Sequence, residues 1–212
     1  MKKLESSLKN MVLVLTSVTV IAVGLLAYVN QLTKEPIEQA NLKTLNDALG
    51  KVLPGFDNNP VLEADTLYNK EDAKKIDFIV YPAQKDGKTV GTAVQATSMG
   101  FGGEMKVLVG FDTDGKIYDY SLLAHAETPG LGSKADVWFK SGNKGDITGA
   151  NPGATPLVVK NDGGQVDAIT ASTITTRAFL QAVNAAYNAY KGNADTTTAA
   201  TQQAGTDNTE NN

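Results

Sequence analysis

Cysteine is absent from all 212 residues. That excludes disulfides, thiolate-held metals, iron–sulfur ligation by this chain and a lipid anchor on a cysteine. Histidine occurs once, at position 125, with no cluster of carboxylates near it in sequence, so no metal site is expected. Basic charge is not in excess: the formal net charge is −4, which argues against nucleic-acid binding. Aromatic and large aliphatic residues are missing from 192–212, which read GNADTTTAATQQAGTDNTENN. Nothing in that stretch can offset the entropy of ordering it, so it reads as a disordered tail. No internal repeat is visible. The remainder, with 42% hydrophobic and 20% charged residues overall, has the composition of a globular domain with a sizeable core.

One long uncharged run is present. Met11 to Val29 contains no ionisable group except Tyr28. At about 1.5 Å per residue a helix of that length nearly crosses a hydrocarbon core of about 30 Å. Lys2, Lys3 and Lys9 precede it against Glu5 alone, whereas Lys34 and Glu35 after it cancel. The positive-inside rule puts the N-terminus in the cytoplasm and the rest of the chain outside. A cleaved signal peptide would have a shorter apolar stretch and small residues at its end, so a retained anchor is expected. The reading is residues 1–10 cytoplasmic, 11–30 transmembrane, 31–191 an extracytoplasmic domain and 192–212 the tail.

Within that domain, Ile37, Ala40, Leu42, Leu45, Ala48, Leu49 and Val52 recur at helical spacing over Glu35 to Leu53. Pro36 suits the first turn of such a helix and Pro54-Gly55 its end. Strands are expected over Asp77–Tyr81, Thr89–Thr97, Met105–Phe111 and Lys116–Ala124. The last two flank Asp112-Thr113-Asp114-Gly115, a hairpin turn by composition and not a calcium loop, since further oxygen ligands are missing. Leu157–Lys160 and Val166–Ile169 read as two more short strands. Ile174 to Tyr190 reads as a helix with Phe179, Leu180, Val183, Ala186, Tyr187 and Tyr190 on one face. The fold class is α+β: a single N-terminal transmembrane helix, then mixed or antiparallel strands with flanking helices.

Three segments carry chemistry. Gly100-Phe101-Gly102-Gly103 lets a backbone bend tightly or approach a flat ligand, although a plain interstrand loop has the same composition. His125-Ala126-Glu127-Thr128-Pro129-Gly130-Leu131-Gly132 joins the only histidine to an acid, a hydroxyl and a turn. Its glycines also fit a loose dinucleotide pattern, but no βαβ unit surrounds them. Asp167-Ala168-Ile169-Thr170-Ala171-Ser172-Thr173-Ile174-Thr175-Thr176 is dense in hydroxyls where a strand gives way to a helix. Such a turn serves equally as a helix cap or as a phosphate site, because free amides and the positive helix end meet there.

Taken in this order, the three segments resemble the FMN-binding domain found in the G subunit of the Rnf electron-transport complex. The C subunit of the sodium-translocating NADH:quinone oxidoreductase shares that domain. The likeness spans about residues 1–191, anchor included, and the shorter chain favours the Rnf member. The resemblance implies FMN held covalently, its phosphate esterified by a flavin transferase to the last threonine of Asp-x-x-Ser/Thr-Gly-Ala-Thr. That motif falls on Asp167, Thr170, Ala171, Ser172 and Thr173, so Thr173 is the implied attachment point and Ser172 the alternative. Thr170, Ser172 and Thr175 are expected to donate to phosphate oxygens, and Asp167 to orient the acceptor or bind the modifying enzyme. The family's Gly-Ala is Ala171-Ser172 here. A positive φ at that turn would cost alanine on the order of 1 kcal/mol. By the same resemblance Glu127 and Thr128 meet the polar edge of the flavin, Leu131 packs on it, and Gly132, Gly102 and Gly103 line the pocket. No residue of the chain is expected to be catalytic by itself. The implied role is an electron-carrying subunit of an ion-translocating ferredoxin:NAD oxidoreductase in the cytoplasmic membrane, with other membrane subunits as partners. The alternatives are a flavoprotein like the C subunit of the sodium-translocating enzyme, an anchored flavin sensor or extracellular electron-transfer module, and a non-redox scaffold.

Overall fold

The computed structural model describes residues 8–68 and 76–206, with side chains of 68, 76–77 and 193–206 left aside. Lys2, Lys3 and Glu5, on which the expected orientation rests, lie outside the described residues. The chain divides into two units, Met1–Thr44 and Leu45–Asn212.

The first unit holds most of helix α1, Leu8–Val52. Its apolar window is long enough to cross a membrane, and none of that window is buried in the protein. Val12, Leu15, Ile21 and Leu26 are all largely exposed, as lipid-facing residues should be. The sequence predicts two helices here, a membrane span and a separate one starting at Glu35. They are one continuous helix with Pro36 inside it. The proline removes a single backbone donor, and a helix already formed on both sides tolerates that loss.

The second unit is built on a five-stranded antiparallel meander in sequence order: β1 Asp65–Tyr68, β2 Ile76–Lys85, β3 Lys88–Met99, β4 Glu104–Asp112 and β5 Ile117–Ala124. Tight turns set the register. Asp86 and Gly87, both at positive φ (52° and 71°), close the β2–β3 hairpin with the twist that two-residue turns require. Asp112 closes the β4–β5 hairpin as expected: its carboxylate accepts from the amides of Asp114 and Lys116. The pairing aligns Val80, Val94, Val109 and Tyr120 across four strands. All four are buried on one face, beneath Phe179, Leu180, Val183 and Ala186 of α3, Thr173–Thr206. On the opposite face Tyr81, Ala83, Ala93 and Leu108 pack against Ala48, Leu49 and Val52, the final turns of α1. β4 is covered on both sides, which explains its run of buried residues from Val107 to Phe111.

Several elements depart from expectation. Strand β1 carries no alternating apolar signal and has no counterpart in the sequence reading. Leu157–Lys160 and Val166–Ile169 form one isolated parallel bridge, Val159 with Val166, around a short 3₁₀ turn at Lys160–Asp162. With Gly163 at φ 87° and only four residues on each side, the segment closes on itself and cannot extend into a sheet. A further 3₁₀ turn, Gly132–Lys134, leads into the single-turn helix α2, Ala135–Trp138. α3 starts at Thr173, one residue before the expected Ile174, and its helical geometry runs to Thr206. Among the described side chains, core packing ends at Ala189 and Tyr190, where the composition puts the end of the domain.

Candidate functional site

A pocket of about 430 Å³ opens at the N-terminus of α3. Three distant segments build it: Phe101 from the β3–β4 connection, Glu127 to Gly132 after β5, and Ala171 to Thr175.

The turn into α3 is fixed from inside. The Thr176 hydroxyl donates to the Ser172 carbonyl at 3.0 Å and accepts from the Ile169 amide at 3.1 Å. The Ser172 amide donates to the Ile169 carbonyl at 2.9 Å. Upstream, the Trp138 indole N–H donates to the Asp167 carbonyl at 2.9 Å. Between these ties Ala171 takes φ 59°, the left-handed conformation that favours glycine. This twist brings Ser172, Thr173, Ile174 and Thr175 around one opening. The amides of Thr173, Ile174 and Thr175 precede the first intrahelical bond, from the Thr176 amide to the Ser172 carbonyl, and are the free donors of the helix end. The Ser172 and Thr173 hydroxyls bond no other protein group among the described residues.

Glu127 is the strut behind the pocket. It is only 6% exposed. One carboxylate oxygen accepts from the Thr175 hydroxyl at 2.7 Å, the other from the Gly102 amide at 3.2 Å. A single side chain thus ties the glycine loop to α3, and both bonds satisfy a buried charge that would otherwise be costly. The glycines are there to admit it. A Cβ at Gly100 would fall on the Glu127 carboxylate, one at Gly102 on the Ala126 carbonyl, and one at Gly132 on both Glu127 and the Thr175 hydroxyl.

Not every anticipated residue faces the pocket. Glu127, Thr128, Leu131, Gly132, Ala171, Ser172 and Thr173 do. Thr175 lines it, but its hydroxyl already donates to Glu127, so it is not the free phosphate donor expected. Gly102 makes room for Ala126 and Glu127, and Gly103 takes a positive φ of 142°; neither lines the opening, and the residue of this loop that does is Phe101. Thr170 lies outside the lining. Asp167 pairs with Lys160 at 2.6 Å rather than reaching toward Thr173. His125 accepts from the Glu127 amide at 3.3 Å and lies 3.6 Å from Asp136, holding the loop's entry. Sequence reasoning misses Phe101 and Ile174 because a lone exposed hydrophobe has no distinctive spacing; only their neighbours' motifs could point to them. Among the described residues no group of three or more His, Asp or Glu is placed to hold a metal.

The core that α3 covers is rich in aromatic contacts. Phe139 and Phe179 stack at 4.2 Å, Tyr120 meets Phe179 edge-on at 4.8 Å, and the Tyr120 hydroxyl donates to the Ala135 carbonyl at 2.6 Å. Burial, more than its neighbouring carboxylates, pushes the Tyr120 phenol far above its ordinary range. It stays a neutral donor at every working pH.

Comparison with known proteins follows the same blocks. Residues 100–188 match the FMN-binding domain family, and residues 1–52 match the RnfG N-terminal region. The chain is 35% identical over 181 residues to the G subunit of the ion-translocating oxidoreductase complex of Vibrio cholerae serotype O1 (strain M66-2), covering 82% of this chain and 86% of that one. It is 37% identical over 163 residues to the protein of the same name from Stutzerimonas stutzeri, covering 73% and 68%. For the Shewanella baltica (strain OS223) protein the figures are 36% over 170 residues, 77% and 80%.

Proposed function

Because the chain belongs to the G-subunit family of ion-translocating oxidoreductase complexes, we propose that it is a membrane-anchored, FMN-carrying electron-transfer protein whose flavin is esterified to Thr173. The observation that carries this reading is a coincidence of place: the FMN-binding match, residues 100–188, contains all three segments of the pocket. The match of residues 1–52 to the RnfG N-terminal region favours the Rnf protein over its counterpart in the sodium-translocating enzyme.

The residues suit the cofactor. Three free amides and the positive helix end favour a phosphate at Thr173. The pocket's volume lies in the range of about 300–1,000 Å³ usual for small-ligand sites. Its mouth carries exposed apolar side chains suited to a flat ring system. Bound there, FMN supplies one- and two-electron chemistry, while the protein positions it and tunes its potential.

Thr173 enters attachment as the nucleophile. Its oxygen would take the flavin phosphate from a phosphoanhydride donor such as a flavin dinucleotide, with the nucleotide phosphate as leaving group and the threonine proton released, in an exchange catalysed by a flavin transferase. Ala171 and Thr176 hold the turn that presents Thr173, and Glu127 keeps Thr175 and the glycine loop clear of it. The three lysines before the span support a cytoplasmic N-terminus, which places the flavin domain and its transferase on the outer side. Other subunits then bring electrons across the membrane.

Co-expression with an active flavin transferase followed by peptide mass spectrometry tests this. The expected result is an FMN phosphodiester on the peptide holding Thr173. Unmodified protein beside a modified control substrate removes the covalent reading, and modification at Ser172 moves the site by one residue.

A further inference from the structure

We infer that Phe101 is the side chain that covers one face of the bound flavin ring and shields it from solvent. This rests on the FMN reading above.

Phe101 is 69% exposed, an expensive state for a phenyl group in a loop that has no freedom to turn it inward. The loop is held at both ends of the residue. The Gly100 amide donates to the Gly103 carbonyl at 2.8 Å, closing a tight turn with Phe101 at its tip. The Gly102 amide is bound to the Glu127 carboxylate, which is itself tied to Thr175. Gly100 and Gly102 cannot take side chains without striking Glu127 or Ala126, so the one side chain of this turn is directed to the pocket side. The segment therefore uses its glycines to hold an aromatic ring at the mouth.

Two other apolar side chains share that mouth. Ile174, 53% exposed, comes from the first turn of α3, and Leu131, 42% exposed, from the loop after β5. Three hydrophobes from three segments, each exposed and each lining the same opening, suit one flat apolar body entering between them. The polar end of the pocket lies at the Thr173–Thr175 amides, so the molecule that fits has a phosphate at one end and a broad ring at the other. Phe101 is the only aromatic of the three, and stacking on a planar ring is the contact its chemistry favours.

The test uses full-length protein loaded covalently with FMN, as wild type, Phe101→Ala and Phe101→Trp, with emission expressed per flavin. An indole in contact with a flavin donates an electron to its excited state. Phe101→Trp should therefore lower emission severalfold below wild type, and Phe101→Ala, which removes only the cover, should open the ring to iodide quenching. Phe101 is exposed, so neither change should disturb folding, and circular dichroism checks that. Equal emission and equal iodide access in all three proteins would overturn the proposal. Failure of the wild type itself to load FMN would instead remove the reading on which it rests, so the two failures are distinct.

Discussion

Two clefts flank α3, and they differ less in size than in what their polar groups are doing. The one at its N-terminus holds about 430 Å³; the one along its outer side, between α3 and the Leu157–Asp162 segment, holds about 370 Å³. In the outer cleft the charged pair and Asn184 are already spent, leaving the exposed Gln181 and Asn188 side chains as its unbonded polar groups among the described residues. Arg177 forms a two-point pair with Asp162 at 2.7 Å. Asn184 both donates to the Leu157 carbonyl and accepts from its amide, completing backbone bonds that the short bridge leaves open. In the N-terminal cleft the helix amides and the Ser172 and Thr173 hydroxyls are uncommitted, while Glu127, Thr175 and Thr176 are consumed in holding them still. Volume alone would not separate the two. Unspent donors on a rigid frame do.

That contrast can be broken most sharply at Thr173. Thr173→Ala should abolish covalent flavin, read by in-gel fluorescence, while stability falls by no more than about 1 kcal/mol, since a single terminal hydroxyl is lost. Gly132→Ala attacks the frame: its methyl meets Glu127 and Thr175 together. It should cost about 1–3 kcal/mol of stability in urea unfolding and reduce flavin loading as well. Thr175→Val keeps the shape but leaves one oxygen of a buried carboxylate without its donor, a loss of about 1–3 kcal/mol. Recovery with Thr175→Ser would assign the loss to the hydroxyl. Ala171→Gly acts in the opposite direction. Relief of a left-handed alanine gains about 1–2 kcal/mol, and the added freedom of the unfolded glycine chain takes back about 0.4–1, so a stabilisation of about 0–1.6 kcal/mol is expected.

The smallest effect belongs to the outer cleft. Arg177→Ala should leave flavin loading unchanged. The Arg177 hydrogen bond holds the Asp162 carboxyl below the usual carboxylate range. A depressed folded pKa contributes stability above the ordinary carboxylate value, and that contribution disappears as pH falls through the folded one. The mutant should therefore be slightly less stable than wild type at neutral pH and equal to it in strong acid, by thermal melts across that range. Lost loading in Arg177→Ala would end the distinction between the clefts.

Local signals carry much of the architecture. The Asp112–Gly115 turn, the apolar face of α3 and the long uncharged run each announce themselves within a few residues, because periodicity and turn chemistry are local properties. The hydroxyl run is recognisable, and the strain anticipated at Ala171 appears as a positive φ. What is not legible depends on distance. Glu127 and Thr175 are 48 positions apart, and nothing in either segment says that they bond. Without that bond Thr175 reads as a ligand donor and the glycines read as a ligand surface. Val159 and Val166 look like strand residues because their segments are short and β-branched. The turn between them decides otherwise. α1 reads as two helices because Pro36 suits the first turn of a new one, and packing of Ala48, Leu49 and Val52 at the far end outweighs one missing bond.

The order of the elements also sets a timetable. The meander pairs each strand with the next, so the sheet can assemble as it leaves the ribosome, from contacts that are close in sequence. Its lid cannot. Val94, Val107, Val109 and Phe111 wait for Phe179, Leu180 and Val183, which are made last. Those residues lie on the same helix whose first turn presents Thr173. Covering the core and forming the pocket's helix turn are therefore one event. A chain cut short before α3 would display a bare apolar sheet face and lack the free amides of that turn.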